Sequence, residues 1–232
     1  MGKAHPAIEV VGLSKTLGRQ AVLRRVDLTV AEGETVALVG SNGAGKSTLL
    51  RCLGRVIRPT SGEVRWFGHA ASADHAMQRR LGLLGHDSLL YPHLSVRENL
   101  AIAARLHDVA DAASAADRWL TAVGLTAAAH RFPPQISRGM RQRVALARAL
   151  IHQPPIVLLD EPYSGLDTEA AGWLTDLLRK LKRDGRTICF ASHDRAVTLQ
   201  LADRVLKLAG GRLLDDGKAN PPSEHERLPR AA

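Results

Sequence analysis

Apolar and polar positions alternate at the start of this chain. Ile8 and Val10, then Val26, Leu28 and Val30, recur at every second position, the period of a strand with one buried face. Ala31-Glu32-Gly33-Glu34 reads as a turn, and Thr35 to Val39 follows as an apolar run that predicts a buried strand. Past a Gly-rich stretch, Leu49, Leu50 and Leu53 take helical spacing. Pro59-Thr60-Ser61-Gly62 marks a turn and Glu63 to Phe67 a short strand. From His86 to Arg143 the pattern is helical: Ser95-Val96-Arg97-Glu98 forms a capping box that starts an amphipathic helix through Leu106, and a second pattern covers Ala115 to Val123. Pro133-Pro134 ends this stretch. A helix from Ser137 then carries Val144, Leu146, Ala149 and Leu150, and Pro154-Pro155 stops it before the apolar strand Ile156 to Leu159. A helix over Ala170 to Lys182 and a strand over Thr187 to Ala191 continue the alternation that a parallel sheet requires.

These patterns predict an α/β fold with a mixed sheet. Segments 1–85 and 144–214 form the core, with antiparallel strands at the N-terminus; 86–143 is an inserted helical lobe; 215–232 is a polar, mobile tail. With 232 residues, 45% of them hydrophobic, the chain can bury a sizeable core. No apolar run approaches the ~18 to 20 residues of a membrane helix, and Met1 to Pro6 lacks the apolar segment of a signal peptide, so a cytoplasmic protein is expected. The two cysteines, Cys52 and Cys189, have no metal-ligand spacing and read as reduced core residues. A net charge of +9 suits nucleic acid, anionic lipid or merely solvated Arg-rich faces. The basic residues are dispersed and only 3% of residues are aromatic, so no nucleic-acid partner is expected.

The Gly-rich stretch carries the first chemistry. Gly40-Ser41-Asn42-Gly43-Ala44-Gly45-Lys46-Ser47-Thr48 fits the phosphate-cradling loop at every required position, between a buried strand and a helix. Glycines let backbone N–H groups wrap a polyphosphate, and the helix start adds its positive dipole end. Lys46 is expected on the β and γ phosphates, Ser47 on Mg²⁺, and Thr48 as a further polar contact. The chain therefore reads as a P-loop NTPase with a RecA-like core, taking a nucleoside triphosphate and Mg²⁺. Ile156 to Leu159 runs into Asp160 and Glu161, which places two carboxylates at the carboxyl edge of the sheet. Asp160 is expected to hold Mg²⁺ and Glu161 to act as general base on the attacking water.

Three further segments carry a resemblance. Ser137-Arg138-Gly139-Met140-Arg141-Gln142-Arg143 looks like the signature of the ATP-binding-cassette ATPases, Ser164-Gly165-Leu166-Asp167 resembles that family's D-loop, and Ser192-His193 resembles its switch histidine. The order and spacing agree from about residue 8 to 215. The resemblance implies a head-to-tail dimer, a homodimer or one with an equivalent subunit, in which Ser137 and Gly139 contact a γ phosphate across the interface. It also implies that His193 joins Lys46 and Glu161 in catalysis, holding the γ phosphate and ordering the water.

Departures from the family pattern fall at three places. Leu17 stands where the family has an adenine-stacking aromatic, either as an aliphatic contact to the base or as a core residue. His86 stands in place of a metal-site glutamine; its neutral ring can ligate, whereas the protonated ring would repel the metal. Arg138 and Met140 replace the usual glycine and glutamine of the signature. The last two are similar to the haem-exporter ATPase of cytochrome c biogenesis and related export ATPases. The function expected from the resemblance is ATP hydrolysis that powers transport, with export and a haem-like cargo as the narrower reading. The channel would be a separate integral membrane permease subunit, holding this chain at the cytoplasmic face of the membrane. Leu89, Leu90, Leu94 and the Tyr91-Pro92-His93 run would either dock that subunit or pack the lobe's own core. A non-transport ATPase and a low-turnover nucleotide-binding adapter are the alternatives.

Overall fold

The computed structural model describes residues 5–71 and 75–218. Three continuously apolar strands, β3 (Thr35–Val39), β7 (Ile156–Asp160) and β8 (Thr187–Ala191), lie at the centre, and nearly every residue in them is buried. A strand covered on both faces has no polar side to present, which is why these segments do not alternate. They belong to a six-stranded sheet ordered β10-β9-β3-β8-β7-β6. Here β6 is Leu81–Leu84, β9 is Arg204–Ala209 and β10 is Arg212–Lys218. All pairings are parallel except the β9–β10 hairpin, so the sheet is mixed as expected.

A second, four-stranded antiparallel sheet is ordered β2-β1-β4-β5. It comprises β1 (Ile8–Leu17), β2 (Gln20–Val30), β4 (Ser61–Trp66) and β5 (His69–Ala70). Its period-two strands present Ile8, Val10, Val26, Leu28 and Val30 to helix α1 (Lys46–Leu53) and one face of the large sheet. Trp66 is fully buried there and donates its ring N–H to the Leu53 carbonyl at 3.1 Å, so it is a packing residue.

After the short α2 (His75–Gln78), the helical segment contains α3 (Val96–Leu106) and α4 (Ala112–Ala122) around their own apolar cluster. The capping box forms: Ser95 Oγ accepts from Glu98 N–H, and Glu98 Oε2 accepts from Ser95 N–H at 2.7 Å. Helix α5 (Arg138–Leu150) runs without a break across residue 143. Val144 and Ala147 pack in the lobe, while Ala145, Leu146 and Leu150 pack under the sheet beside α6 (Thr168–Arg183). Helix α5 thus runs from the signature segment into the core. Short α7 (Arg195–Leu201) leads into β9. β10 continues through Lys218, so the segment expected to be a tail from Asp215 begins as a strand. The remainder of that expectation, 219–232, lies outside the described residues.

Candidate nucleotide site

The loop after β3 turns sharply and opens at the amino end of α1. At Gly40, φ +154, an added Cβ would collide with the Leu208 carbonyl, and at Gly45, φ +108, with the Leu23 side chain, so the tight path requires glycine. Gly45 caps α1 with no side-chain hydrogen bond, and the first turn holds no acidic residue. The helix's own first turn thus leaves its N–H groups uncapped by any side chain, which fits a phosphate group. Lys46 is only 7% exposed, and its Nζ donates to the carbonyls of Gly40 at 2.8 Å and Ser41 at 3.3 Å.

Two other strands deliver the rest. At the carboxyl end of β7, Asp160 is buried and accepts from Ser47 Oγ at 2.9 Å through Oδ1, while its Oδ2 is buried with no hydrogen-bond partner. An orphaned carboxylate oxygen beside a hydroxyl is the donor set that suits Mg²⁺. Among the described residues no three His, Cys, Asp or Glu side chains gather as a metal cluster, so phosphate and water would complete the shell. Glu161 follows with φ +50, a strained conformation for a residue with a side chain. Its Oε1 lies 4.0 Å from Lys46 Nζ and 3.0 Å from Nε2 of His193, which stands just past the end of β8.

Lys46, Ser47, Glu161 and His193 share one cleft of about 520 Å³, and Asp160 lines an adjoining cavity with Glu161. Residues 42–48 form its floor, and Leu17, His86, Glu161 and His193 line it. Leu17 is half exposed, so it belongs to the wall and not to the core. His86 arrives because β6 pairs with β7 in the register Leu84–Leu159, which carries both chains to the same sheet edge. Ser137 and Gly139 do not line this cleft; Ser137 caps α5 by accepting from Met140 N–H at 3.2 Å. Gln20, Val22 and Ser164 line the cleft as well, although motif spacing did not single them out as contacts. The period-two alternation of β2 does place Gln20 and Val22 on one face.

In the segment before α3, Leu89 and Tyr91 are exposed while Leu90 packs against the lobe's cluster, so the run is split between surface and core. Buried Asn99 shapes it, accepting from Tyr91 N–H at 2.7 Å and donating to the Tyr91, Leu94 and Ser95 carbonyls. No helix among the described residues is long and apolar enough to cross a membrane.

Fold and cleft together define an ATP-binding cassette built on a P-loop NTPase core. The ABC transporter family model matches residues 23–164, and the chain belongs to that family. The chain is 36% identical over 231 residues to the sulfate/thiosulfate import ATP-binding protein CysA of Methylococcus capsulatus, covering 96% of this chain and 66% of that protein. It is 34% identical to the glutamine transport ATP-binding protein GlnQ of Escherichia coli, covering 94% of this chain and 95% of that one. The chain spans between 61% and 66% of the length of three sulfate/thiosulfate import relatives. Among solved structures, a dimeric ATP-binding cassette in a post-hydrolysis state bound to ADP and Pi superposes with a TM-score of 0.84 at 30% identity, covering 92% of this chain and 99% of that one. An ATP-binding subunit of an ABC transporter gives the same TM-score and identity, over 91% and 90% of the two chains.

Proposed function

We propose that this chain is the ATP-binding and ATP-hydrolysing subunit of a transporter, closing head to tail with a second copy or an equivalent subunit to drive a separate integral membrane subunit. Its place would then be the cytoplasmic face of the membrane, held there by that partner. One observation carries the reading: Lys46, Glu161 and His193 converge at the uncapped start of α1, beside a carboxylate oxygen of Asp160 that has no partner. Residues 40–48 cradle the phosphates through backbone N–H groups, with Lys46 moving its donors from the Gly40 and Ser41 carbonyls to phosphate oxygens. Leu17 packs on the base. Ser47 and Asp160 hold Mg²⁺, with His86 at the same edge of the sheet. Mg²⁺, when bound, supplies charge neutralisation for the leaving and transferred phosphate oxygens. Glu161 takes a proton from the attacking water, and His193 holds the γ phosphate in line.

Ser137 and Gly139 lie at the amino end of α5, away from the cleft of their own chain. A second subunit would bring them to a phosphate, and the likeness to a dimeric cassette supports that assembly. The export reading, with haem as cargo, rested on His86 and the Ser-Arg-Gly-Met signature. The names of the relatives are those of importers for two different solutes, so they lend it no support and leave direction and cargo to the membrane subunit. Phosphate release from wild type and Glu161→Gln tests the proposal. A fall of about 100-fold with nucleotide binding retained is expected. Equal rates would overturn the assignment of the base, and absence of turnover in wild type would favour the adapter reading.

A further inference from the structure

Arg138 stands where the family pattern has glycine, and its side chain has a defined task in this fold. It is the first residue of α5, and its Nη2 donates to Ser164 Oγ at 3.4 Å. The guanidinium lies over Gly165, where an added Cβ would come within 3.0 Å of Arg138 Nε. Gly165 has φ +74, a backbone conformation that favours glycine, and the overlying Arg138 leaves little room for a side chain there. One turn further along α5, Gln142 Nε2 donates to the Pro162 carbonyl at 3.4 Å. Helix α5 thus grips the 162–165 turn at two points.

That turn leads directly to the base. Ser164 N–H donates to the Glu161 carbonyl at 3.0 Å, and Glu161 N–H donates to the Ala191 carbonyl at 3.2 Å. Glu161 sits at φ +50 and is the one residue whose carboxylate must face both His193 and the water. A side chain on strained backbone holds its aim only when its surroundings over-determine it. Arg138 does not line the nucleotide cleft. It lines an adjoining cavity of about 320 Å³ together with Glu161 and Ser164, and Ser164 lines both.

We infer that Arg138 is a positioning residue for hydrolysis: through Ser164 and Gly165 it holds the turn that aims Glu161. This rests on the proposed ATPase reading and adds a role that the loop, the base and the switch histidine do not supply. Removing the guanidinium should leave nucleotide binding intact and misplace the carboxylate. Arg138→Ala is expected to lower kcat about tenfold with KM unchanged, because small misplacements of a reacting group are costly. Arg138→Lys, which keeps a donor but loses the planar fork, should fall between the two. Ser164→Ala should reproduce part of the loss, and the double variant should lose less than the sum of the two singles, as coupled neighbours do.

Steady-state phosphate release, fluorescent-nucleotide titration and amide hydrogen exchange over 162–167 with ADP present give the readouts. Faster exchange confined to 162–167 in Arg138→Ala, together with the kcat-only loss, supports the inference. A kcat within twofold of wild type, additive losses with Ser164→Ala, or unchanged exchange overturns it. Inactive wild type would sink the ATPase reading itself. Active wild type and inactive Glu161→Gln beside an unaffected Arg138→Ala would sink this inference alone.

Discussion

One nitrogen of His193 faces two partners: Nε2 stands 3.0 Å from Glu161 Oε1 and 3.3 Å from Lys46 Nζ. An imidazole nitrogen carries either a proton or a lone pair, so it cannot donate to the carboxylate and accept from the ammonium together. Lys46 already has two carbonyl acceptors, at Gly40 and Ser41. The ammonium has a third N–H, which goes to Nε2, so that nitrogen accepts and Glu161 Oε1 is left with no hydrogen-bond partner. In the proposed nucleotide-bound state Lys46 turns to phosphate, and the ring is released to donate to the γ phosphate. His193→Ala should reduce turnover about 100-fold while fluorescent-nucleotide affinity changes little. His193→Gln, which restores an N–H donor, should recover part of the rate; a Gln variant no better than Ala would remove the donor role.

His86 lines the cleft with Ser47 and the adjoining cavity with Asp160, the two oxygen donors proposed to hold Mg²⁺. Imidazole favours the later first-row divalent ions, whereas Mg²⁺ prefers oxygen. The ratio of Co²⁺-supported to Mg²⁺-supported turnover should be several-fold higher in wild type than in His86→Gln. Matching ratios in the two proteins would place His86 off the metal.

His107 at the end of α3 and His152 after α5 stack with ring centroids 3.7 Å apart and planes 5° from parallel, joining the lobe to the core. Burial, then the neighbouring His107 and Arg79, push the His152 pKa down from 6.5 to about 4, against its bond to the Leu81 carbonyl. Between those two values the unfolded chain binds a proton that the folded chain refuses, so stability falls as pH drops through this window. The loss is up to about 2 kcal/mol after solvent screening. Urea midpoints at pH 7 and pH 5 should separate in wild type and move closer in His152→Phe, which keeps a flat ring without a titrating nitrogen.

Burial pushes the thiols up, Cys52 to about 11 and Cys189 to about 12. Thiolate is the reactive form, so neither should be alkylated by iodoacetamide in the native protein at pH 8, and both should react in urea. Rapid native labelling of Cys189 would show that β8 opens readily.

Much of the site was legible because its parts are local. A phosphate loop needs consecutive residues, and Asp160 and Glu161 announce themselves by ending an apolar run. The capping box at Ser95 and Glu98 was readable for the same reason. Other elements were not: Leu81–Leu84 is a strand because β7 pairs with it, and the hairpin of β9 and β10 joins the sheet through the pairing of β9 with β3. The roles of Gln20, Val22 and Ser164 at the cleft were equally hidden, since each depends on which face an element turns to its neighbour.

The sequence by itself determined the kind of chemistry: the loop's glycines, the lysine inside the helix start, the acids at a strand end, and the histidine after another strand. Only the tertiary structure decided that they meet. Lys46 and His193 are 147 positions apart, and they touch because β8 pairs with both β3 and β7, an order unrelated to position along the chain. Backbone hydrogen bonding between buried strands sets that order. No local pattern of residues can contain it.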